Sequence, residues 1–226
     1  MVLARRDMTV LRGLLVQSNK KLGGSVFHFD LPAGTTCPGE TTLCSRLCYA
    51  KAGRYVFPQV QERLAYNYTQ AKRDDFVPRL VSELYRKGVI LCRWHCSGDV
   101  FSLGYARKML AVVRASPQVA FWAYSRSYRV PAIAEVLWEL AECPNFSLWL
   151  SADDETGYPP VVPQGVRVAW MVTDEPPPEA DLLFATREVR RSGRVSLDTL
   201  CPAETASGAV AGTTCSTCRI CVRMSL

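Results

Sequence analysis

The sequence has no long apolar run and almost no histidine. Across its 226 residues, no stretch approaches the roughly 18 apolar residues of a membrane-spanning helix, which argues against a membrane protein. The first apolar stretch, residues 11–16, is shorter than the ~7–15 residues of a signal peptide core, and no small-residue cleavage site follows it. We therefore expect a cytoplasmic protein with no membrane partner. With only two histidines, His28 and His95, Cys/His zinc fingers cannot be common.

Acidic residues are scarce in the first part of the chain. Residues 1–130 hold 20 Lys and Arg against 8 Asp and Glu, a net charge of +12, whereas residues 131–226 hold 7 against 13, a net charge of −6. A basic segment of this size favours a polyanionic partner, here DNA or RNA. The alternative is that these charges are ordinary solvated helix faces. The sequence leaves both interpretations open and does not indicate an oligomeric state.

Cysteine, by contrast, is abundant. Ten cysteines in a chain expected in a reducing compartment are more typical of metal ligands than of disulfides, which would need a secreted and usually shorter chain. Cys92 lies within a predicted strand and Cys143 at a predicted helix end, and neither has a neighbour at ligand spacing. Core packing is the expectation for both. Cys96 is left without an assigned role.

Strand and helix patterns alternate along most of the chain. Apolar, β-rich runs occur at residues 25–31, 89–94, 119–124, 146–150, 166–172 and 182–185. Between them lie helical patterns, one capped by Ser102 and ending before Pro117, and one beginning at Pro131. Residues 58–87 predict a long helical region with a break near Pro78. Alternation of strands and helices predicts an α/β fold with a parallel sheet.

Polar residues follow the predicted strands. The loops at the carboxyl ends of parallel strands meet at one edge of a sheet and commonly form its functional site. We assign tentative catalytic roles to His95 and Asp99, and tentative cofactor-binding roles to Ser97, Gly98, Ser125 and Arg126. The alternative is that polar residues follow strands in any protein, because loops are solvated. A histidine with a carboxylate four residues on can serve as a metal ligand or as a general acid or base.

Cys37, Cys44 and Cys48 form a C-x6-C-x3-C pattern directly after the first predicted strand. Cys44 and Cys48 stand one helical turn apart, so both thiolates can point the same way. Three thiolates suit a [4Fe–4S] cluster that keeps one iron for a small molecule or another side chain. Zinc would require a fourth protein ligand, for which His28 or His95 is available. Both metals, and the absence of a metal, stay open here.

Cys201, Cys215, Cys218 and Cys221 form a second group, with C-x13-C-x2-C-x2-C spacing. Two successive C-x2-C steps resemble the ferredoxin-type run, in which a tight loop turns three thiolates toward one cubane. Structural zinc more often uses separated C-x2-C pairs, so iron is favoured and zinc is the alternative. Four thiolates leave no open coordination position, which predicts a structural site. The spacing alone does not say whether the seven cysteines serve one site or two.

Several ordered motifs resemble the phage and mobile-element family known as gene product 88. They are LPAGTTCPGETTLCSRLCYAKAGRY, RWHCSGDVFSLGYARKML, VAFWAYSRS and TCSTCRIC, spread over most of residues 28–221. The resemblance implies a distant relationship to radical S-adenosylmethionine (SAM) proteins, and with it SAM as a candidate ligand and the host cytoplasm as the location. The cysteine spacing differs from the radical SAM pattern C-x3-C-x2-C.

Patterns and resemblance together predict a single α/β domain over residues 1–226. Its barrel-like core, similar to a partial TIM barrel of the radical SAM type, is expected over residues 25–197. A cysteine-rich metal-binding tail, residues 198–226, is expected to pack on that core.

Three functions are consistent with the sequence. The first is an iron–sulfur protein associated with nucleic acid, in which one or two [4Fe–4S] clusters are structural or redox-sensing. The second is a radical SAM-like enzyme that uses an open cluster iron and the residues at the strand ends. The third is an interaction module held together by zinc.

Overall fold

The computed structural model of the protein describes residues 12–17, 19–186, 189, 200–204 and 213–222. Its centre is a seven-stranded sheet in which the strands lie side by side in chain order. The strands are β1 Val16–Gln17, β2 Val26–Phe29, β3 Leu91–Trp94, β4 Ala120–Ser125, β5 Phe146–Ala152, β6 Arg167–Val172 and β7 Leu182–Ala185. β1 is antiparallel to β2, and every later pair is parallel. The predicted α/β fold with a parallel sheet is confirmed at this level.

Six α-helices lie in the described ranges. They are α1 Thr42–Leu47, α2 Pro58–Lys72, α3 Phe76–Arg86, α4 Leu103–Arg114, α5 Pro131–Glu142 and the one-turn α6 Cys215–Cys218. Short 3₁₀ turns occupy Tyr49–Lys51, Gly53–Val56 and Ser127–Arg129. None of the helices in these ranges combines the length and the apolar character that crossing a membrane requires.

Local sequence signals explain where the helices begin. The Ser102 hydroxyl accepts a hydrogen bond from the Tyr105 amide at 3.2 Å and caps α4, and Pro131 occupies the first turn of α5. The predicted break between α2 and α3 lies at residues 73–75, not at Pro78. Proline is tolerated in the first turn of a helix, where its missing N–H would have no intrahelical partner. Pro78 therefore belongs to the start of α3.

The two faces of the sheet have different coverings. On β4, Phe121 and Ala123 face the main core, which α3, α4 and α5 complete, while Trp122 faces the opposite side. That opposite side is covered by the described part of the C-terminal tail. The Cys215 amide donates to the Lys21 carbonyl at 3.0 Å. The sheet is therefore enclosed on both faces, as expected for parallel strands.

Candidate functional site

A cavity of about 430 Å³ lies at the carboxyl ends of the strands. We call it the rim cavity. It is lined by Cys37, Cys44 and Cys48, by Arg93 to Asp99 apart from Trp94, and by Tyr124, Arg126, Ser151, Met171 and Phe184, among others. The three cysteines of the loop after β2 thus share one cavity with residues from five strand ends. This is the meeting of loop and strand ends that the sequence predicted.

A buried ion pair fixes the cysteine loop, residues 37–48, to the sheet. Arg126 hydrogen-bonds and ion-pairs with Asp153, and their side chains are 6% and 0% exposed. The Thr41 hydroxyl donates to the Asp153 carboxylate at 2.8 Å and accepts from the Cys44 amide at 2.9 Å, which caps α1. At Gly39 a Cβ would lie 2.0 Å from the Arg126 carbonyl oxygen, so only glycine fits there. The position of Cys44 is thus set by β4 and β5.

Two of the loop thiols, those of Cys37 and Cys44, are poorly ionised without a cation. Burial raises the pKa of Cys37 to about 12, and the nearby Asp99 carboxylate contributes to the increase. Burial also raises the pKa of Cys44, while the Arg126 guanidinium opposes that shift. A bound metal would supply the positive charge that deprotonates these thiols, so metal loading would release protons.

Asp99 connects the ends of β3 and β4. Its carboxylate accepts hydrogen bonds from the Ser125 hydroxyl at 2.7 Å and from the Arg126 amide at 2.8 Å. Burial raises the pKa of Asp99, and these hydrogen bonds oppose the increase. Asp99 and Arg126 line the rim cavity, whereas Ser125 is fully buried and supports Asp99.

Ser97 and Gly98 both line the rim cavity, and both contact the end of the β2 segment. The Ser97 hydroxyl donates to the Leu31 carbonyl at 2.8 Å. Gly98 has a φ of +79°, and a Cβ there would lie 2.5 Å from the Thr36 hydroxyl oxygen. A side chain at this position would be both strained and crowded. The Ser97–Gly98 step therefore allows β2 and β3 to end close together.

His95 contributes to the cavity wall, but its imidazole is held in the main core. Its Nε2 lies 2.8 Å from the Tyr105 hydroxyl, and the ring packs near Phe29 and Trp94. Burial lowers the pKa of His95 to about 3, so the ring is neutral at physiological pH. The structure therefore does not bring this imidazole to the loop cysteines. Its catalytic role stays a prediction, and its surroundings favour packing.

The tail cysteines line a second, much smaller cavity of about 10 Å³, which we call the tail cavity. Cys201, Cys215, Cys218 and Cys221 are all in its wall, and its lining shares no residue with that of the rim cavity in the ranges described. The Tyr124 hydroxyl donates to the Cys221 sulfur at 2.6 Å, and the Trp149 indole donates to the Cys221 carbonyl at 3.1 Å. The seven cysteines therefore form two groups.

Comparison with known sequences identifies the family of this chain. The sequence pattern of the family described as gene product 88 matches residues 9–224. The chain belongs to the gene product 88 family. It is similar to the gene 88 proteins of Mycobacterium phages L5 and D29, at 31% and 30% identity over 145 residues, covering 58% of this chain and 59% of each relative. The chain thus spans about three-fifths of the length of these relatives. No solved structure matches it.

In this gene product 88 protein, Cys96 connects the rim cavity to a buried polar cluster, in which the sequence indicated a role only for His28, as an available zinc ligand. His28, Asp30 and Cys96 are each less than 9% exposed, and each offers one candidate ligand atom within 4.8 Å of the others. His28 and Asp30 are two residues apart at the end of β2, which places them on one face of the strand. That spacing was the available signal. The partner Cys96 comes from the loop after β3, which no local pattern indicates.

Proposed function

We propose that this chain is an iron–sulfur protein of the gene product 88 family with two separate metal sites. The observation that carries the proposal is the rim cavity, in which three loop cysteines face buried strand-end residues across about 430 Å³. Three thiolates and free space suit a [4Fe–4S] cluster held by Cys37, Cys44 and Cys48. The four tail cysteines form a closed site with structural character.

The spacing of the sulfurs supports a cluster at the loop. Tetrahedral zinc with Zn–S bonds of about 2.3 Å would place its sulfurs about 3.8 Å apart. Within the described ranges, the group His28, Asp30 and Cys96 is the one whose three ligand atoms lie within 4.8 Å of each other. The three loop sulfurs therefore do not all lie within 4.8 Å of one another. A cubane tolerates this arrangement better than a single zinc ion, because each cysteine binds a different iron.

At the tail, the volume of the cavity and the spacing of the cysteines support different metals. The tail cavity of about 10 Å³ has room for about one small atom, which favours a single ion such as zinc. The C-x2-C-x2-C spacing in the sequence favours a cubane. We give more weight to the spacing, because small cavities change volume with the rotamers of their lining side chains. The proposal therefore places iron at both sites.

Metal analysis tests this proposal. Protein purified anaerobically is expected to contain iron and acid-labile sulfide in equal amounts, and to absorb in the thiolate-to-iron charge-transfer region near ~400 nm. Cys44→Ser should lose the iron bound at the loop cysteines and keep the iron bound at the tail cysteines. The control variant, Cys143→Ser, should keep the iron at both sites. Protein that contains zinc and no sulfide would contradict the proposal and favour the zinc-held interaction module.

Association with nucleic acid is the second part of the proposal. Residues 41–61 contain no acidic residue, and the part of this segment between Cys44 and Ala50 contributes to the lining of the rim cavity. Their exposed side chains combine positive charge with aromatic rings: Arg46, Tyr49, Lys51, Arg54 and Phe57. Tyr49 and Phe57 are 60% and 52% exposed, although the Tyr49 hydroxyl is enclosed against the Cys96 carbonyl. Lys and Arg contacts to phosphate and aromatic stacking on bases together give sequence-tolerant binding.

Removing the positive charges of residues 41–61 should weaken the binding of nucleic acid and reduce its dependence on salt. The triple variant Arg46→Gln, Lys51→Gln, Arg54→Gln removes up to three phosphate contacts, each contributing about −0.7 to the slope of log K against log salt on single strands. We therefore expect the slope to fall in magnitude by about 2. The control replaces Arg86, Arg107 and Arg114, exposed on α3 and α4, and should change the slope little. If the two triple variants change the slope equally, nucleic acid does not bind at residues 41–61.

A radical SAM-like enzyme is the alternative function, and the rim cavity favours it in one respect. Its volume leaves space beside the three cysteines for a small ligand. The parallel strands β2 to β7 also lie in chain order, as in a partial barrel of the TIM type. Cleavage of SAM by the reduced protein would favour this function over a structural or redox-sensing cluster.

A further inference from the structure

We propose that Cys96 is a nucleophile, activated by His28 and oriented through Asp30, that accepts acyl groups from small thioesters or activated esters entering the rim cavity. This inference goes beyond the metal sites, because none of these three residues is among the seven cysteines assigned to metal. A cysteine, an imidazole and an orienting carboxylate grouped in this way are used for acyl transfer on many unrelated folds.

The carboxylate of Asp30 connects the other two groups. One oxygen, Oδ2, lies 2.7 Å from His28 Nδ1, and the other, Oδ1, accepts the backbone N–H of Cys96 at 2.6 Å. The Asn67 amide donates to the Asp30 carbonyl at 3.0 Å, which fixes the backbone beneath the carboxylate. Asp30 thereby holds both the imidazole and the nucleophile-bearing backbone, the orienting role of the third group in such triads.

The imidazole of His28 faces the thiol. Its Nδ1 is engaged by Asp30, and its buried Nε2 makes no hydrogen bond of standard geometry within the described part of the chain. The Cys96 sulfur belongs to the same close cluster. Burial lowers the pKa of His28, but the charges and hydrogen bonds of Asp30 and Cys96 raise it to about 10. The imidazole is therefore protonated at neutral pH, and an imidazolium beside a cysteine sulfur favours the thiolate.

A hydrogen-bond donor is also in place beside the sulfur. The Asn19 side-chain oxygen accepts the amides of Lys21 and Leu22 at 3.0 and 2.9 Å, which fixes the orientation of the side-chain amide. Its NH₂ group consequently points to the Cys96 sulfur, at 3.8 Å. A donor at this position can stabilise negative charge on the Cys96 sulfur.

The chemical step balances without a further reactant. The Cys96 sulfur, as a thiolate paired with the His28 imidazolium, attacks the carbonyl carbon, and a C–S bond forms while the C=O π electrons move to the oxygen. The tetrahedral intermediate then collapses, the bond from carbon to the leaving group breaks, and the leaving group takes the proton from His28. The products are the S-acyl protein and the free thiol or alcohol.

Site-resolved labelling tests the reactivity of Cys96. Trypsin cleaves after Arg93 and so separates Cys92 from Cys96, and Cys143 lies in a third peptide. Cys92 is buried toward the main core, whereas Cys143 is more accessible than Cys96, whose exposed fraction is 4%. Under limiting iodoacetamide, we expect Cys96 to react at least about tenfold faster than Cys143, because the imidazolium beside its sulfur favours the thiolate and outweighs its lower exposure. Slower reaction of Cys96 than of Cys143 would overturn the proposal.

Acylation of variants by an ester distinguishes activation of the Cys96 thiol from its accessibility to the reagent. Treatment with p-nitrophenyl acetate should place one acetyl group on the Cys96 peptide of the wild-type protein. His28→Gln and Asp30→Asn should lower that acylation about tenfold or more, while Cys143→Ser should leave it unchanged. If a variant fails to fold, the labelling rates of Cys96 and Cys143 in the wild-type protein still test the proposal. Loss of iron in Cys96→Ser, or labelling of Cys96 only after a chelator, would identify a metal ligand and overturn the proposal.

Discussion

Asp153→Asn is expected to lower the free energy of unfolding by about 3–5 kcal/mol. Asp153 is fully buried, and the substitution removes the charge that compensates the buried Arg126 guanidinium. The second carboxylate oxygen of Asp153 also accepts the amides of Glu155 and Thr156, both at 3.0 Å. An asparagine amide cannot accept on both sides, so either this turn or the Thr41 contact loses a partner.

The neighbouring residue provides the matched control. Asp154 carries the same charge but is exposed, and it hydrogen-bonds the Thr173 hydroxyl. Asp154→Asn should therefore change stability by no more than about 0.5 kcal/mol. Urea denaturation of the two variants, at equal iron content, gives the comparison. Similar losses in both would mean that the Arg126–Asp153 pair does not hold the cysteine loop to the sheet.

The strands of the fold could be predicted because each is a short apolar run between turn residues. The predicted run at residues 182–185 coincides with β7 at both ends, and the boundaries of the others agree within two residues. β1, Val16–Gln17, could not be found this way, because two residues carry no period. The division of the chain into a core over residues 25–197 and a tail stays a prediction, since residues 190–199 lie outside the described ranges.

The candidate site was predictable where it depends on topology. Parallel strands bring their carboxyl ends to one edge, and the loop cysteines, Asp99 and Arg126 do share the rim cavity. Side-chain direction was less predictable. Strand alternation would place His95 on the cavity side with Arg93, but β3 ends at Trp94 and the imidazole turns to the Tyr105 hydroxyl. Contacts far apart in the sequence decide such an orientation.

The cluster of His28, Asp30 and Cys96 could not be predicted for the same reason: it depends on contacts between residues far apart in the sequence. The carboxylate of Asp30 accepts the Cys96 amide from 66 residues away, and this contact exists only because β2 and β3 pair in parallel. A pairing of strands can be anticipated from sequence, but its register cannot, and a shift of one residue would move each side chain to the other face.

Cys218→Ser is expected to remove the tail metal and to lower stability by several kcal/mol. The tail connects distant parts of the sheet, through the Lys21 and Leu22 carbonyls near β2, Tyr124 on β4 and Trp149 on β5. Its tail cavity has no room for a substrate, so metal binding there contributes to folding. In closed thiolate sites, metal binding contributes roughly 10 kcal/mol to the free energy of folding. Loss of one ligand removes part of this contribution.

The comparison with the loop decides whether this site is structural. Cys44→Ser removes a ligand at the open rim cavity and should cost less stability than Cys218→Ser, because the Thr41 cap and the Arg126–Asp153 pair still hold α1. Cys143→Ser, outside both groups, should retain both metals and most of the stability. Metal content and urea denaturation of the three variants provide the measurement. If Cys218→Ser keeps its full metal content and unfolds at the wild-type denaturant concentration, Cys218 is not a ligand, and the four-thiolate tail site is wrong.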